Sequence, residues 1–300
     1  MMMTQASDFT KQSSRPAVNV VILNYQGAEL LPQTLPSIVK AAGFAKSKTR
    51  VTVLNNPSEE SGLGYVAKQF PKVHIERAPQ NRILCSYNDF LPKIDEPIVI
   101  LLNNDIRVQS DFIDPLVEKF ISDEATFLVA PRVMTFDGRE IEAAKSKAGM
   151  RCGIFWCNAR YPGYQEEAMN PSETYSSGFG AFSREKFLEL GGYDDRYLPG
   201  IMEDVDLCYR AQRQGYRLYY EPRSVLYHIG RASFKKAFGL NETNVIAHRN
   251  TFLFMWKNFK GFSFWASHLF FLPFRLLFAA CRGNWSFLQG FMRALQVNPR

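Results

Sequence analysis

Pro97-Ile98-Val99-Ile100-Leu101-Leu102-Asn103-Asn104-Asp105-Ile106-Arg107 sets five aliphatic residues directly before three polar ones. A short, unbroken apolar run bounded by proline and polar side chains reads as a strand buried on both faces, the habit of parallel sheets. In open α/β sheets ligands bind beyond the carboxyl ends of such strands, where Asp105 falls. A carboxylate there suits a hard divalent cation, Mg²⁺ or Mn²⁺, and with it a diphosphate. The competing reading is an Asp that caps or turns the chain.

Upstream, apolar runs alternate with helical spacing. Val18 to Tyr25 reads as a strand ending in Asn24-Tyr25-Gln26-Gly27. Ala28 to Ala42 places Leu30, Leu31, Leu35, Ile38 and Val39 on one helix side, with Pro32 suited to the first turn and Pro36 in conflict with the interior. Strands at Val51–Asn55 and Val73–Arg77 and helices at Leu63–Phe70 and Ile83–Leu91 complete this half. The alternation predicts a doubly wound, mostly parallel α/β sheet with helices on both faces. No G-x-G-x-x-G follows the first strand, which disfavours a dinucleotide oxidoreductase.

Downstream the spacing predicts a helix over Asp111–Ser122 and a strand over Phe127–Val133. Thr135–Thr174 is rich in Gly, Arg and aromatics without periodicity and reads as one long functional loop. Helices follow at Arg184–Leu190 and Glu203–Gln214, then two short strands, Tyr216–Tyr220 and Ser224–Tyr227, the second running into His228. Glu203 and Asp204 are either helix-start acids favoured by the dipole or working carboxylates. Asp206 is expected to face away or to pair with Arg210 at i+4. His228 is either a hydrogen-bonded core histidine or, as neutral imidazole, a metal ligand.

Five cysteines without metal-finger spacing imply a reducing compartment and ordinary buried thiols. Residues 1–16 are polar and lack an apolar signal region, so they read as a disordered lead into a cytoplasmic protein. The net charge of +7 is uneven: ten Lys and Arg lie from Ile229 onward, against Glu242 alone. Base interleaved with Phe and Trp means nucleic acid or an anionic membrane. No recognition module is present, so nucleic acid is disfavoured.

The order of motifs resembles the family 2 glycosyltransferases of the GT-A fold, in particular a bacterial rhamnosyltransferase-like subgroup. Val20-Val-Ile-Leu-Asn-Tyr-Gln-Gly27 is similar to the family's V-V-I-x-N-Y-N-G, and Val53-Leu-Asn-Asn-Pro-Ser58 to V-V-D-N-x-S. Asn81-Arg-Ile-Leu-Cys-Ser-Tyr-Asn88 resembles N-x-G-F-A-x-x-N, and Leu102-Asn-Asn-Asp105 resembles L-N-P-D. Ser177-Gly-Phe-Gly-Ala-Phe182, Gly191-Gly-Tyr-Asp-Asp-Arg-Tyr197, Met202-Glu-Asp-Val-Asp-Leu-Cys-Tyr-Arg210 and Tyr227-His228 follow in the family's order.

The resemblance implies that Asn24, Tyr25, Asn55, Asn81, Asn88 and Asn104 hold the nucleotide. It places Asp105 and His228 at a divalent cation, Mn or Mg, and makes Asp204 the catalytic base beside Glu203. The implied reaction is inverting transfer, of the hexosyltransferase class, from a UDP- or dTDP-sugar to a glycan or polyprenyl-linked acceptor in cell-surface polysaccharide assembly. An inactive sugar-nucleotide binder or membrane scaffold of the same fold is the alternative. Asn55 replaces the family's usual Asp, and Ile83-Leu84 replace its Gly-Phe.

The expected organisation is a GT-A domain over 17–240, with a nucleotide half at 17–108 and an acceptor half at 109–240, and a basic-aromatic helical region over 241–300. Phe262 to Cys281 matches the ~20 apolar residues of a span. Arg275 near its middle argues against crossing. Lys257, Lys260, Arg275, Arg282 and Arg293 among aromatics fit helices lying on an anionic leaflet, peripheral on the cytoplasmic face of the cell membrane.

Overall fold

The structure is a computed structural model that describes residues 15–229 and 232–297. Most of the expected disordered lead lies outside the described residues.

In chain order the elements begin with β1 (Val18–Asn24), α1 (Leu31–Phe44), β2 (Thr49–Asn55), α2 (Leu63–Gln69), β3 (His74–Arg77), α3 (Ser86–Phe90) and β4 (Ile98–Asn103). Then come β5 (Ile106–Val108), α4 (Ile113–Ser122), β6 (Thr126–Thr135), β7 (Ile141–Ala143), β8 (Lys147–Arg151), β9 (Ile154–Asn158), α5 (Tyr164–Glu167) and β10 (Ser172–Glu173). The chain closes with β11 (Gly180–Ser183), α6 (Arg184–Glu189), α7 (Glu203–Arg213), β12 (Arg217–His228), α8 (Ala232–Asn258), α9 (Phe262–Cys281) and α10 (Trp285–Leu295).

One large sheet has the order β10-β12-β6-β11-β4-β1-β2-β3, with β5 on β12 and β7 on β6. β4, β1, β2 and β3 pair in parallel, as do β12 and β6. β11 runs antiparallel between β4 and β6. The expected mostly parallel GT-A sheet is present, with one reversed strand where its halves join.

The strands are apolar throughout because both faces are covered. Val20, Ile22, Ile98, Ile100 and Leu102 pack with residues of α1 and α4. Val21, Leu23, Val99 and Leu101 face the other way, onto Tyr87, Phe90, Phe187 and Leu207. Each such side chain contributes about 1.5–3 kcal/mol by leaving water, so a polar residue on either face would be costly.

Three expectations are corrected. The helix expected over Ile83–Leu91 is broken into a 3₁₀ turn (Ile83–Cys85), the short α3 and a second 3₁₀ turn (Leu91–Lys93). The expected loop Thr135–Thr174 contains β7, the β8–β9 hairpin, α5 and β10. Its strands are at most five residues long and little buried, so no apolar period builds up. The two short terminal strands are one, β12, with a register shift between Glu221 and Val225. The irregularity accommodates Pro222, which cannot donate to a ladder.

The C-terminal helices share a core with the rest. Phe252, Phe254 and Met255 of α8 and Ala294 of α10 pack with Phe155 of the hairpin and with Tyr197, Met202 and Val205 beside the start of α7. Gly239, at φ 74°, interrupts α8 one residue before the expected boundary at 240.

Candidate active site

The amides at the sheet's edge belong to one network. Parallel pairing sets Asn24 beside Asn55, and Asn24 Nδ2 donates to Asn55 Oδ1 at 2.7 Å and to the Ser61 carbonyl at 2.7 Å. Asn104 Nδ2 donates to Asn24 Oδ1 at 2.8 Å and to the Tyr25 carbonyl at 2.9 Å. The three buried amides brace the carboxyl ends of β1, β2 and β4, while the Tyr25 ring stays exposed at the rim. An amide at 55 suits this role because it accepts without bringing a charge into a buried site.

Asn81 lies exposed, its Oδ1 accepting from the Ile83 N–H at 3.1 Å. Ile83 has φ 51°, so this loop keeps a glycine-type backbone while carrying a β-branched side chain. Asn88 is a tie between halves. Its Nδ2 donates to the Tyr193 carbonyl at 2.7 Å and its Oδ1 accepts from the Tyr193 N–H at 2.9 Å. A Cβ at Gly192 would stand 2.2 Å from Asn88 Oδ1, which explains the glycine.

Asp105 and His228 meet because β5 starts at the next residue and pairs antiparallel with β12, setting His228 opposite Ile106. The Ile229 N–H donates to the Asp105 carbonyl at 3.1 Å and extends that pairing. Asp105 Oδ2 lies 3.4 Å from His228 Nε2. Its other oxygen, Oδ1, is buried without a hydrogen-bond partner. An orphaned carboxylate oxygen is costly unless something is meant to meet it, and a hard cation fits. Among the described residues no three His, Cys, Asp or Glu side chains are placed to hold a metal ion together. These two ligands therefore fit a cation that takes its remaining oxygens from a diphosphate and water, as Mg²⁺-type sites do. His228 Nδ1 lies 3.2 Å from Glu142 Oε2, and the ring sits 5.3 Å from that of Phe179. Burial opposes a charge on His228, but Asp105 and Glu142 outweigh it and raise its pKa.

Glu203 and Asp204 open α7 after a strained approach: Ile201 and Met202 have φ 71° and 84°. Asn250 of α8, fully buried, holds that approach by donating to the carbonyls of Tyr197, Gly200 and Ile201 at 2.7, 2.7 and 2.9 Å. Glu203 is buried and its Oε2 has no partner. Asp204 is half-buried, its Oδ1 accepting from the Val205 N–H at 2.8 Å. Burial raises the pKa of both carboxyls, and the Asp204 charge raises that of Glu203 further.

Asp206 does not face away. It is fully buried, pairs with Arg210 Nε at 2.8 Å as the spacing allowed, and also accepts from Lys257, Asn258 and the Tyr197 hydroxyl. Three cations expected at a membrane are likewise engaged elsewhere. Lys257 binds Asp206 and Asp194, Arg275 donates to the carbonyls of Arg151 and Cys152, and Arg293 pairs with Glu242.

The two chemical centres are joined by one loop. A Cβ at Gly178 would stand 3.3 Å from Asp204 Oδ2, and the next residue, Phe179, supplies the ring beside His228. Asp204 and His228, the latter paired with Asp105, thus flank the same Gly178-Phe179 turn ahead of β11. Residues that sequence reasoning missed are Glu142 and Asn250, which carry no periodic or spacing signal. Phe179 and Tyr193, whose buried hydroxyl lacks a partner, lie inside two of the quoted motifs but were given no role there. A cavity of about 440 Å³ bordered by Asn88, Tyr193, Asp194, Arg210 and Lys257 adjoins the tie at Asn88 rather than Asp105, and its cations are already paired.

The chain has relatives among known proteins. The chain is 23% identical over 246 residues to the putative polypeptide N-acetylgalactosaminyltransferase 10 of Drosophila melanogaster, covering 77% of this chain and 39% of that protein. It is 24% identical over 230 residues to N-acetylgalactosaminyltransferase 6 of the same fly, 72% of this chain and 34% of the other. It spans well under half the length of these curated relatives. GalNAc-T7, solved with UDP, GalNAc and Mn²⁺, superposes with a TM-score of 0.58 at 20% identity over 73% of this chain and 44% of that one. The mannosyltransferase PcManGT from Pyrobaculum calidifontis, in complex with GDP-Man and Mn²⁺, gives 0.55 at 16% identity over 96% and 77%. At such identities the structural likeness establishes the fold. Residues 19–191, more than half of the chain, match the family described as Glycosyl transferase family 2, and with that match the chain belongs to the family 2 glycosyltransferases.

Proposed function

We propose that this glycosyltransferase moves a sugar with inversion from a nucleoside-diphosphate sugar to an acceptor hydroxyl, with a divalent cation on the donor side. The observation that carries the reading is the Gly178-Phe179 turn, which meets Asp204 on one side and His228, paired with Asp105, on the other. Asp204, half-buried and with a raised pKa, accepts the proton of the acceptor hydroxyl. That oxygen attacks the anomeric carbon as the bond to the diphosphate oxygen breaks. Glu203 shapes the acceptor side. Asp105 and His228 hold the cation, Mn²⁺ or Mg²⁺, which when bound offsets charge growing on the departing diphosphate. Asn24, Asn55 and Asn104 brace the nucleotide edge, with Tyr25, Asn81 and Asn88 around it.

A UDP-sugar is the first donor to test, since the relatives are named as N-acetylgalactosaminyltransferases and GalNAc-T7 was solved with UDP. A dTDP-sugar and a rhamnosyl-type transfer, which motif order favoured, are the second. A panel of UDP-, dTDP- and GDP-sugars with Mn²⁺, read by nucleotide release in the parent and in Asp204→Asn, tests the reading. The variant should bind donor and release no nucleotide above background. Equal release by both would remove Asp204 from the base role.

We further propose that the protein works at the cytoplasmic face of the cell membrane on a glycan or polyprenyl-linked acceptor, in cell-surface polysaccharide assembly. α9 supports this by being two-sided. Its Phe262, Leu269, Phe270, Phe274, Leu277 and Phe278 are exposed on one stripe. The opposite side is locked to the protein, with His268 between Gly153 and Trp256 and with Arg275 on the hairpin carbonyls. α9 has the length and hydropathy to cross a bilayer. With one side held in protein and its charge turned inward, it is suited to lie on the leaflet instead.

A further inference from the structure

The Asp105–His228 pair has a third member that no motif contains. Glu142 sits on β7, two strands from His228: β7 pairs with β6, and β6 with β12. In the β6–β7 ladder Val133 faces Ala143 while Met134 faces Ile141, so Glu142 is the extra residue of a bulge. A bulge leaves one residue unpaired and re-aims its side chain, often beside an active site. Here it turns the carboxylate over the end of β6 towards His228, which is paired there with Thr135. Arg160 fixes the backbone by donating from Nε to the Glu142 carbonyl at 2.7 Å.

We propose that Glu142 is a positioning residue that sets the His228 ring for cation binding. It accepts from Nδ1–H at 3.2 Å, which leaves Nε2 as the ring nitrogen turned to Asp105, 3.4 Å away. The ring is also held by Phe179. With Nδ1 carrying the proton, the Nε2 lone pair is available, and the neighbouring carboxylate raises its basicity. The role explains why a carboxylate is kept largely buried at the bulge of β7. The inference rests on the reading of Asp105 and His228 as cation ligands.

The test measures Mn²⁺ binding by electron paramagnetic resonance with UDP present, in the parent, Glu142→Ala, Glu142→Gln and Asp105→Asn. Loss of an outer carboxylate typically costs about 10–100-fold in metal affinity, and that is the loss expected for Glu142→Ala. Glu142→Gln, whose amide oxygen still accepts from Nδ1–H, should stay within about threefold of the parent. Long-range ¹H–¹⁵N correlations on the metal-free protein at alkaline pH give a second readout, His228 being one of four histidines. The parent and Glu142→Gln should show Nδ1–H, and Glu142→Ala should shift towards Nε2–H. Unchanged Mn²⁺ affinity in Glu142→Ala, or an Nε2–H ring in the parent, overturns the proposal while the cation site survives. If Asp105→Asn binds Mn²⁺ as the parent does, the cation reading itself falls.

Discussion

Lys257 Nζ, near the end of α8, lies 2.8 Å from Asp206 Oδ2, three residues into α7. The pair fastens a C-terminal helix to the helix that presents Glu203 and Asp204, and Asn250 clamps the turn just before it. The C-terminal helices are therefore part of what holds the start of α7 in shape.

Replacing Asp206 by Ala should lower stability by about 3–5 kcal/mol, because Lys257 and Arg210 lose their buried counter-charge. Burial opposes ionisation of Asp206, yet Arg210 and Lys257 hold its carboxyl below the usual range. With the folded value below the unfolded one, this contribution is present above about pH 4 and lost as pH falls through the folded value. Urea midpoints of parent and Asp206→Ala should therefore converge in acid.

Glu203 has the opposite sign. Its folded pKa lies above the unfolded one, so between the two values the native state binds the extra proton and stability falls as pH rises. Glu203→Gln, always neutral, should melt higher than the parent at pH 8 and equally at pH 4, with a gain on the order of 2 kcal/mol. Its transfer rate should fall. A variant that neither gains stability nor loses activity would contradict the assignment of a strained, working carboxyl.

Chelation should abolish transfer, and added Mn²⁺ should restore it in the parent alone when compared with Asp105→Ala. A loss of several kcal/mol of transition-state stabilisation corresponds to at least about 100-fold in kcat/KM.

Gly178→Ala tests the space beside Asp204. A methyl group 3.3 Å from Oδ2 fills space that the proposed base would share with an acceptor. Small displacements of reacting groups cost up to about 100-fold, and a tenfold or greater drop in kcat/KM is expected. The melting temperature should stay within about 1 °C of the parent, since no core contact is removed.

Phe270→Glu with Phe274→Glu should release the protein from vesicles containing anionic lipid. Each buried Phe contributes about 1.5–3 kcal/mol, so partitioning should weaken by about 100-fold or more. Flotation unchanged by the pair would remove α9 as the attachment face.

What the residues determined alone was the parallel half of the sheet and the polar side chains that end its strands. Runs such as Ile98–Leu102 bury both faces whatever surrounds them, and an Asp directly after such a strand falls at a ligand edge. Lys257, Arg275 and Arg293 were legible as charges but not as partners of Asp206, of hairpin carbonyls and of Glu242. Glu142 could not be found, since a bulge in a three-residue strand has no period, and Asn250 was hidden inside a regular helix. Only the folded chain decided those, because hydrogen bonds and ion pairs depend on distance in space. Hydrophobic burial leaves a repeating mark on the sequence; a single long-range contact leaves none.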